Sequence, residues 1–382
     1  MYDFDRITDR RDTYSYKWDV SEGELPMWVA DMDFETAPPI AEAIARRAEH
    51  GIFGYSMIPD GYYTALSDFY ARRHGFKIPT DWIVYANGVV AAIGSIIRKL
   101  TTPAENVLIQ APVYNIFYNS ILNNGRNVLS SDLVYDGKGG YSVDYADLEE
   151  KLSRPQTSLM LLCNPHNPVG RLWEREELLK IGELCKKHGV IILSDEIHCD
   201  IVAPGKSYVP VSSIPELADV AVSCISASKS FNIAGLQSAA VIVKDPHLRH
   251  KVWRGINTDE VGEPNAFAMT ANIAAFTECD RWLDELVEYL FENRRLAESY
   301  IAENIPCITA VKGDATYLLW LDVSRITNDS VELCEWLRRE TGLYLSEGAE
   351  YGDCGRCFVR MNLATQRERV RDGLERLRRF VK

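Results

Sequence analysis

Val190-Ile191-Ile192-Leu193-Ser194-Asp195-Glu196-Ile197-His198 decides the fold. Four apolar residues in succession read as a strand buried on both faces, the condition of a parallel sheet covered by helices on either side. The stretch before it, Glu174 to His188, reads as a helix closed by Gly189 in the usual C-terminal position. Asp195 then falls at the carboxyl end of the strand, where parallel α/β sheets hold their ligands. A carboxylate buried there demands a cationic or hydrogen-bonding partner.

The same pattern extends in both directions. From about residue 83, short apolar runs alternate with amphipathic stretches, so strands are expected at Ile83 to Ala86, Asn106 to Gln110, Ser158 to Cys163, Val190 to Ser194, Val220 to Ile225 and Ala239 to Val243. A helix is expected over Gly88 to Leu100. Upstream, residues 1 to 35 are irregular, Pro38 and Pro39 open a helix that Gly51 closes, and a second helical pattern runs from Tyr62 to His74. Beyond residue 270 the pattern changes to one long helical stretch, Ala271 to Asn304. Two β-like runs come next, Thr316 to Leu321 and Cys357 to Met361, then a basic amphipathic helix from Gln366 to Lys382. The expected architecture is α/β. A large domain over 49–270 holds a mostly parallel sheet between helices, a smaller α+β domain occupies 271–382, and an N-terminal segment, 1–48, packs with the small domain.

A chain of 382 residues is too long for one ordinary core, and 46% hydrophobic with 25% charged residues is the composition of a globular enzyme. The formal charge of −13 opposes nucleic acid or an anionic membrane as a partner, since either needs a basic footprint. Met1 to Arg6 carries no apolar signal-peptide core and no later apolar run approaches membrane-spanning length, so the expected location is the cytoplasm. Nine cysteines scattered through the chain read as reduced core residues, and the pair Cys354 and Cys357 lacks the companion ligands of a zinc site. No metal is expected.

Chemistry gathers at the strand ends. After Val220 to Ile225 comes Ser226-Ala227-Ser228-Lys229-Ser230, which places a lysine among small hydroxyl residues. Such a lysine becomes a nucleophile when desolvation or cationic neighbours lower its pKa, and it then forms a Schiff base with a carbonyl. Asn87-Gly88-Val89-Val90, at the opening of a helix, offers backbone amides and close approach for one phosphate. Asn164-Pro165-His166-Asn167-Pro168-Val169-Gly170 makes a rigid turn that fixes two side-chain amides. A carbonyl for Lys229, a phosphate for the Gly88 turn and a protonatable ring nitrogen for Asp195 together describe pyridoxal 5′-phosphate (PLP). Asn167 would then donate to the ring O3′ and Tyr114 stack on the ring face. His198 and Cys199 invite a metal reading, but a hydrogen-bonding histidine is the simpler one.

Asn-Pro-His-Asn-Pro-Val-Gly, Ser-Asp-Glu-Ile-His and Ser-x-Ser-Lys, in this order and spacing, resemble the fold-type I PLP enzymes of the class I/II aminotransferase superfamily. The stretches Trp28 to Phe34 and Gly51 to Tyr55 are similar to the branch of cystathionine β-lyases and cysteine-S-conjugate β-lyases of the MalY/PatB type. That resemblance implies Lys229 as the Schiff-base lysine, Asp195 as partner of the pyridine nitrogen, Asn167 as donor to O3′ and Tyr114 as the stacking ring. It implies a phosphate site made by Gly88, the amides of Val89 and Val90, Ser226 and Ser228. His198 joins the cofactor set. Arg360 would grip the substrate α-carboxylate, with Ala30 and Asn167 beside it, and Tyr55 would reach the phosphate in the other subunit of a homodimer. Gln237 stands where aspartate aminotransferases carry a phosphate-binding arginine, and His198 where they carry tyrosine.

The expected reaction is a PLP-dependent β-elimination, in which Lys229 takes the Cα proton and a thiolate leaves Cβ to give pyruvate and ammonia. An aminotransferase is the alternative. A PLP-sensing transcriptional regulator would need a basic DNA-binding domain, and the segment ahead of the large domain is too short and too acidic in pattern to be one.

Overall fold

The apolar runs become strands because both of their faces are covered. The computed structural model describes residues 2–381 and centres on a seven-stranded sheet. In chain order its strands are β1 Ile83–Ala86, β2 Asn106–Ile109, β3 Asn127–Ser130, β4 Thr157–Cys163, β5 Ile191–Asp195, β6 Ala221–Ile225 and β7 Ala239–Ile242. They lie in the order β1-β7-β6-β5-β4-β2-β3. Only β7 is antiparallel to its neighbours, β1 and β6, and the remaining pairs are parallel. Along β4 the side chains alternate between two cores, as strand geometry requires. Leu159, Leu161 and Cys163 pack with Ile93 and Val252, from helices Val89–Leu100 and Pro246–Thr258. Met160 and Leu162 pack on the other face with Leu148 and Ile181, from helices Tyr145–Leu152 and Arg175–Lys187.

The six strands expected in this sheet match to within a residue at each end, and its seventh escaped the reading; the run expected at Thr316 to Leu321 begins two residues later, as Leu318–Asp322. β3, Asn127–Ser130, is an edge strand whose residues are exposed or half-buried, so it lacks the continuous apolar run that marked the others. The long helical stretch is in fact two helices, Ala268–Glu278 and Asp280–Asn304. Cys279 interrupts them with φ −115° and ψ 11°, and its thiol turns back to the Ala274 carbonyl at 3.4 Å. The first of the two helices shares a core with Ile40 and Phe69, from helices Pro38–Glu49 and Asp60–His74.

A four-stranded antiparallel sheet forms a second body, in the order Thr309–Ala310, Leu318–Asp322, Phe358–Asn362, Ser346–Glu347. Leu319, Leu321, Val359 and Met361 bury against Leu337 of helix Ser330–Thr341 and Leu374 of helix Arg367–Val381. The N-terminal segment joins this core through Trp18, Leu25 and Met27, and Leu25–Pro26 pairs in parallel with Leu343–Tyr344. Gly373 lets the last helix approach that closely, since a Cβ there would stand 2.5 Å from the Met27 sulfur.

Candidate active site

The carboxyl ends of β1, β5 and β6, and the loop after β4, open into a cavity of about 280 Å³, and Tyr114 from the loop after β2 lines it too. The walls bring together Gly88, Val89 and Val90 on one side with Ser228, Lys229 and Ser238 on another. Asn167, Asp195, His198 and Ala30 complete the enclosure. Residues scattered over two hundred positions of sequence therefore meet at one end of the sheet.

Lys229 enters from the short helix Ala227–Ser230, and its Nζ donates to the Ala30 carbonyl at 2.5 Å. Burial lowers its pKa to about 8; the Arg360 charge works in the same direction, and Asp31 and Asp195 oppose them. An amine so placed carries an appreciable neutral fraction near neutral pH, the state a nucleophile or base requires. Asp195 is 4% exposed and accepts from the Ile197 amide at 3.1 Å. Its pKa is pushed up to about 7, chiefly by burial, against the pull of the Ile197 amide and the Lys229 charge. A cationic ring nitrogen at this carboxylate would restore the charged form.

Arg360 is buried on the adjacent β-strand of the small sheet. Nη2 donates to the Trp28 carbonyl at 2.7 Å and to Ser346 Oγ at 3.4 Å, and Nη1 to Asn167 Oδ1 at 3.3 Å. Nε has no partner among the described residues, and the guanidinium lies 4.9 Å from the centre of the Tyr351 ring. The Asn-Pro turn that carries Asn167 is tied to the Tyr114 loop by His166, whose Nε2 lies 2.9 Å from the Pro112 carbonyl. Burial drives the Tyr114 hydroxyl up to about 12, so it stays protonated.

Some expected residues stand elsewhere. Ser226 does not line the cavity; its hydroxyl donates to the Ser238 carbonyl at 2.6 Å and accepts from the Ser228 amide at 3.1 Å, capping the lysine helix. Tyr55 is wholly exposed beside a separate surface hollow with Met57 and Trp253. His198 was expected to hydrogen-bond, yet its Nδ1 is buried without a partner and its ring stands edge-on to Tyr317 at 5.9 Å. Burial and the charges of Lys229 and Arg360 depress its pKa to about 3, so it is neutral. Sequence reasoning missed Tyr317, which donates to the Ala30 carbonyl at 2.9 Å, and Ser346 beside Arg360. Neither carries a local signal, because packing of the small sheet brings both to the site. Cys354 and Cys357 are unpaired thiols. Among the described residues, His74, Cys199 and Asp200 form the one group able to hold a metal, and the Asp200 carboxylate is already engaged by His74 and Ser230.

The donor set fits PLP. Gly88 has φ 143° and nothing within 4 Å of where its Cβ would be, leaving the helix start open to an anion. First-turn amides of a helix have no intrahelical acceptor, and across the cavity Ser238 Oγ is buried and unpartnered. Such a site, on such a sheet, defines the fold-type I class of PLP enzymes. The chain belongs to the family of class I and II aminotransferases, which it matches over residues 25–377. It is 41% identical to cystathionine beta-lyase PatB of Bacillus subtilis, over 98% of either chain. The crystal structure of cystalysin from Treponema denticola, which contains PLP, superposes with TM-score 0.95 at 32% identity, covering 99% of this chain and 98% of the other. The PLP-bound C-S lyase of Staphylococcus hominis complexed with L-cycloserine superposes with TM-score 0.94 at 29% identity, over 100% of this chain and 98% of the other. The cofactor is PLP.

Proposed function

We propose that this chain is a PLP-dependent carbon–sulfur β-lyase, cleaving L-cystathionine or related cysteine S-conjugates by α,β-elimination to pyruvate, ammonia and a thiol. The observation that carries the reading is the half-buried Lys229, its basicity lowered and its amine 2.5 Å from the Ala30 carbonyl, in a chain 41% identical to a cystathionine β-lyase. PLP, when bound, supplies a cationic ring that withdraws electrons from the substrate Cα. The chain does the rest. The Val89 and Val90 amides, Gly88 and Ser228 hold the phosphate, with Ser226 fixing Ser228 in place. Asp195 would keep the ring nitrogen protonated, Asn167 would donate to O3′, and Tyr114 and neutral His198 would pack against the ring. Arg360 takes the α-carboxylate as a fork, with Ala30 and Asn167 closing the pocket. The Cα–H bond is thereby aimed at Lys229 Nζ, which accepts the proton as a positioned base, and the carbon–sulfur bond breaks at Cβ.

Arg360→Lys removes the fork while keeping the charge. It should raise KM for the amino-acid substrate by about tenfold to a hundredfold, the value of charge-assisted hydrogen bonds, with a smaller change in kcat. Initial-rate measurements over substrate concentration check this, and an unchanged KM would take the carboxylate away from Arg360.

The reading extends to a homodimer. Tyr55 is wholly exposed in the single chain, within a run where Ile52, Phe53 and Met57 are 67%, 55% and 79% exposed, an apolar patch that calls for a cover. A second copy would bring its Tyr55 to the phosphate. Tyr55→Phe should loosen the cofactor without unfolding the chain. Mixed with Lys229→Ala, it should form hybrid dimers in which one site has both residues intact, and activity should return. No recovery, with subunit exchange demonstrated, would place Tyr55 in its own subunit's site. The cytoplasm suits the chain, whose nine cysteines are all unpaired. No helix is long and apolar enough to cross a membrane among the described residues.

A further inference from the structure

Glu350 lies in the turn Gly348–Tyr351, which follows the strand Ser346–Glu347. Ser346 stands opposite Arg360 in the small sheet, and Tyr351 places its ring against the same guanidinium. From the other wall, Asn115 follows the cavity-lining Tyr114 and donates its Nδ2 to Glu350 Oε2 at 2.7 Å. This carboxylate therefore joins the turn beside Arg360 to the loop beside Tyr114, next to the cavity and not among the residues that line it. It is half-buried, its charge reaches both the Tyr114 hydroxyl and Arg360, and burial with the neighbouring Glu347 pushes its pKa up. Its bonded partner is a neutral amide, and no ion pair reaches it among the described residues. Arg360 acts on it only from beyond ion-pair distance, and a half-buried carboxylate that no cation touches is stabilised by an ammonium brought to it.

The substrate can bring one. Of the four groups on Cα, the carboxylate goes to Arg360, the amine to the cofactor and the hydrogen to Lys229. Only the arm carrying sulfur remains to reach Glu350. We propose, resting on the lyase reading, that Glu350 is a specificity-determining residue that receives an ammonium borne by the leaving thiol. The preferred substrates are then thioethers whose sulfur arm carries an amine, as in cystathionine, over those with a plain alkyl arm.

Two probes of equal length isolate the charge, S-(2-aminoethyl)-L-cysteine and S-propyl-L-cysteine. The holoenzyme should favour the amine in kcat/KM by about tenfold, the scale of one charge-assisted hydrogen bond. Glu350→Gln should reduce that ratio about tenfold, whereas Glu350→Asp, which keeps the charge, should retain most of it. A wild-type ratio near one, or the same ratio in Glu350→Gln, overturns the proposal. The ratio of dissociation constants for the two probes is measured separately on PLP-loaded Lys229→Ala, with and without Glu350→Gln. Loss of the amine preference there supports the role of Glu350 even if neither probe yields pyruvate, an outcome that would instead sink the lyase reading. Equal binding of the two probes sinks the Glu350 assignment alone.

Discussion

Lys229→Ala will hold PLP, if at all, without a covalent link, and borohydride will fix no cofactor to the chain. Its β-elimination rate will fall by about a thousandfold or more. The size of the effect comes from two functions on one amine. Among the described residues Lys229 is the only lysine lining the cavity, so no neighbour there can take over its attachment to a carbonyl. In the proposed reaction it is also the base aimed at Cα–H, and positioned general bases contribute about 10² to 10⁴ by themselves. The depressed pKa, about 8, lets the amine act in both roles near neutral pH. Mass analysis of the borohydride-treated protein and a pyruvate assay check the two halves, and an adduct on the variant would move the site to another residue.

Asp195→Asn separates binding from chemistry. The variant should retain much of its cofactor, because the contacts proposed to phosphate, O3′ and ring face are untouched, while kcat falls about a hundredfold or more, the usual loss when one preorganised electrostatic group is removed. The same substitution carries a stability signature in the cofactor-free chain. The folded pKa of Asp195 is raised from 3.8 to about 7, so the folded state holds a proton that the unfolded state has released at intermediate pH. Linkage sets the sign: the cost to folding is small near pH 4, grows between the two pKa values and is fully present above about 7. Cofactor-free Asp195→Asn should therefore melt higher than cofactor-free wild type at pH 8, and the gap should shrink towards pH 4. Bound PLP should erase the advantage, since the ring nitrogen then pairs the wild-type charge. Thermal melts of the two proteins at both pH values, with and without PLP, check this, and a gap that is independent of pH would contradict it.

The sheet was legible because burial on both faces leaves its mark locally. Leu159 to Leu162 and Val190 to Leu193 could hardly be anything but interior strands, and their ends then pointed to Asn167 and Asp195. The Asn127–Ser130 strand was not legible, because an edge strand under less cover needs no apolar run. Lys229, Asp195, Asn167 and Tyr114 could be singled out because each stands at the end of a strand that identifies itself or within a few residues beyond it. The Trp28 carbonyl that holds Arg360, the Tyr317 hydroxyl on the Ala30 carbonyl, and Ser346 were invisible. They meet the site only because the small sheet and the N-terminal segment fold against the large sheet, and nothing in their own neighbourhoods of sequence records that. Ser226 shows the opposite case. The family resemblance implies its hydroxyl as a phosphate ligand, and the structure gives it the work of a helix cap.

The roles proposed for Lys229, Asp195 and Arg360 would serve an aminotransferase as well as a β-lyase, so the products decide between them. The most direct measurement supplies L-cystathionine to the holoenzyme with no keto acid present and counts pyruvate, ammonia and homocysteine per active site. A β-lyase gives many turnovers with all three products in equal amounts, since elimination returns the cofactor as the aldehyde each cycle. Arrest after one turnover, with the cofactor left as the amine and activity restored by an added keto acid, on cystathionine and on S-alkyl cysteines alike, would contradict the elimination.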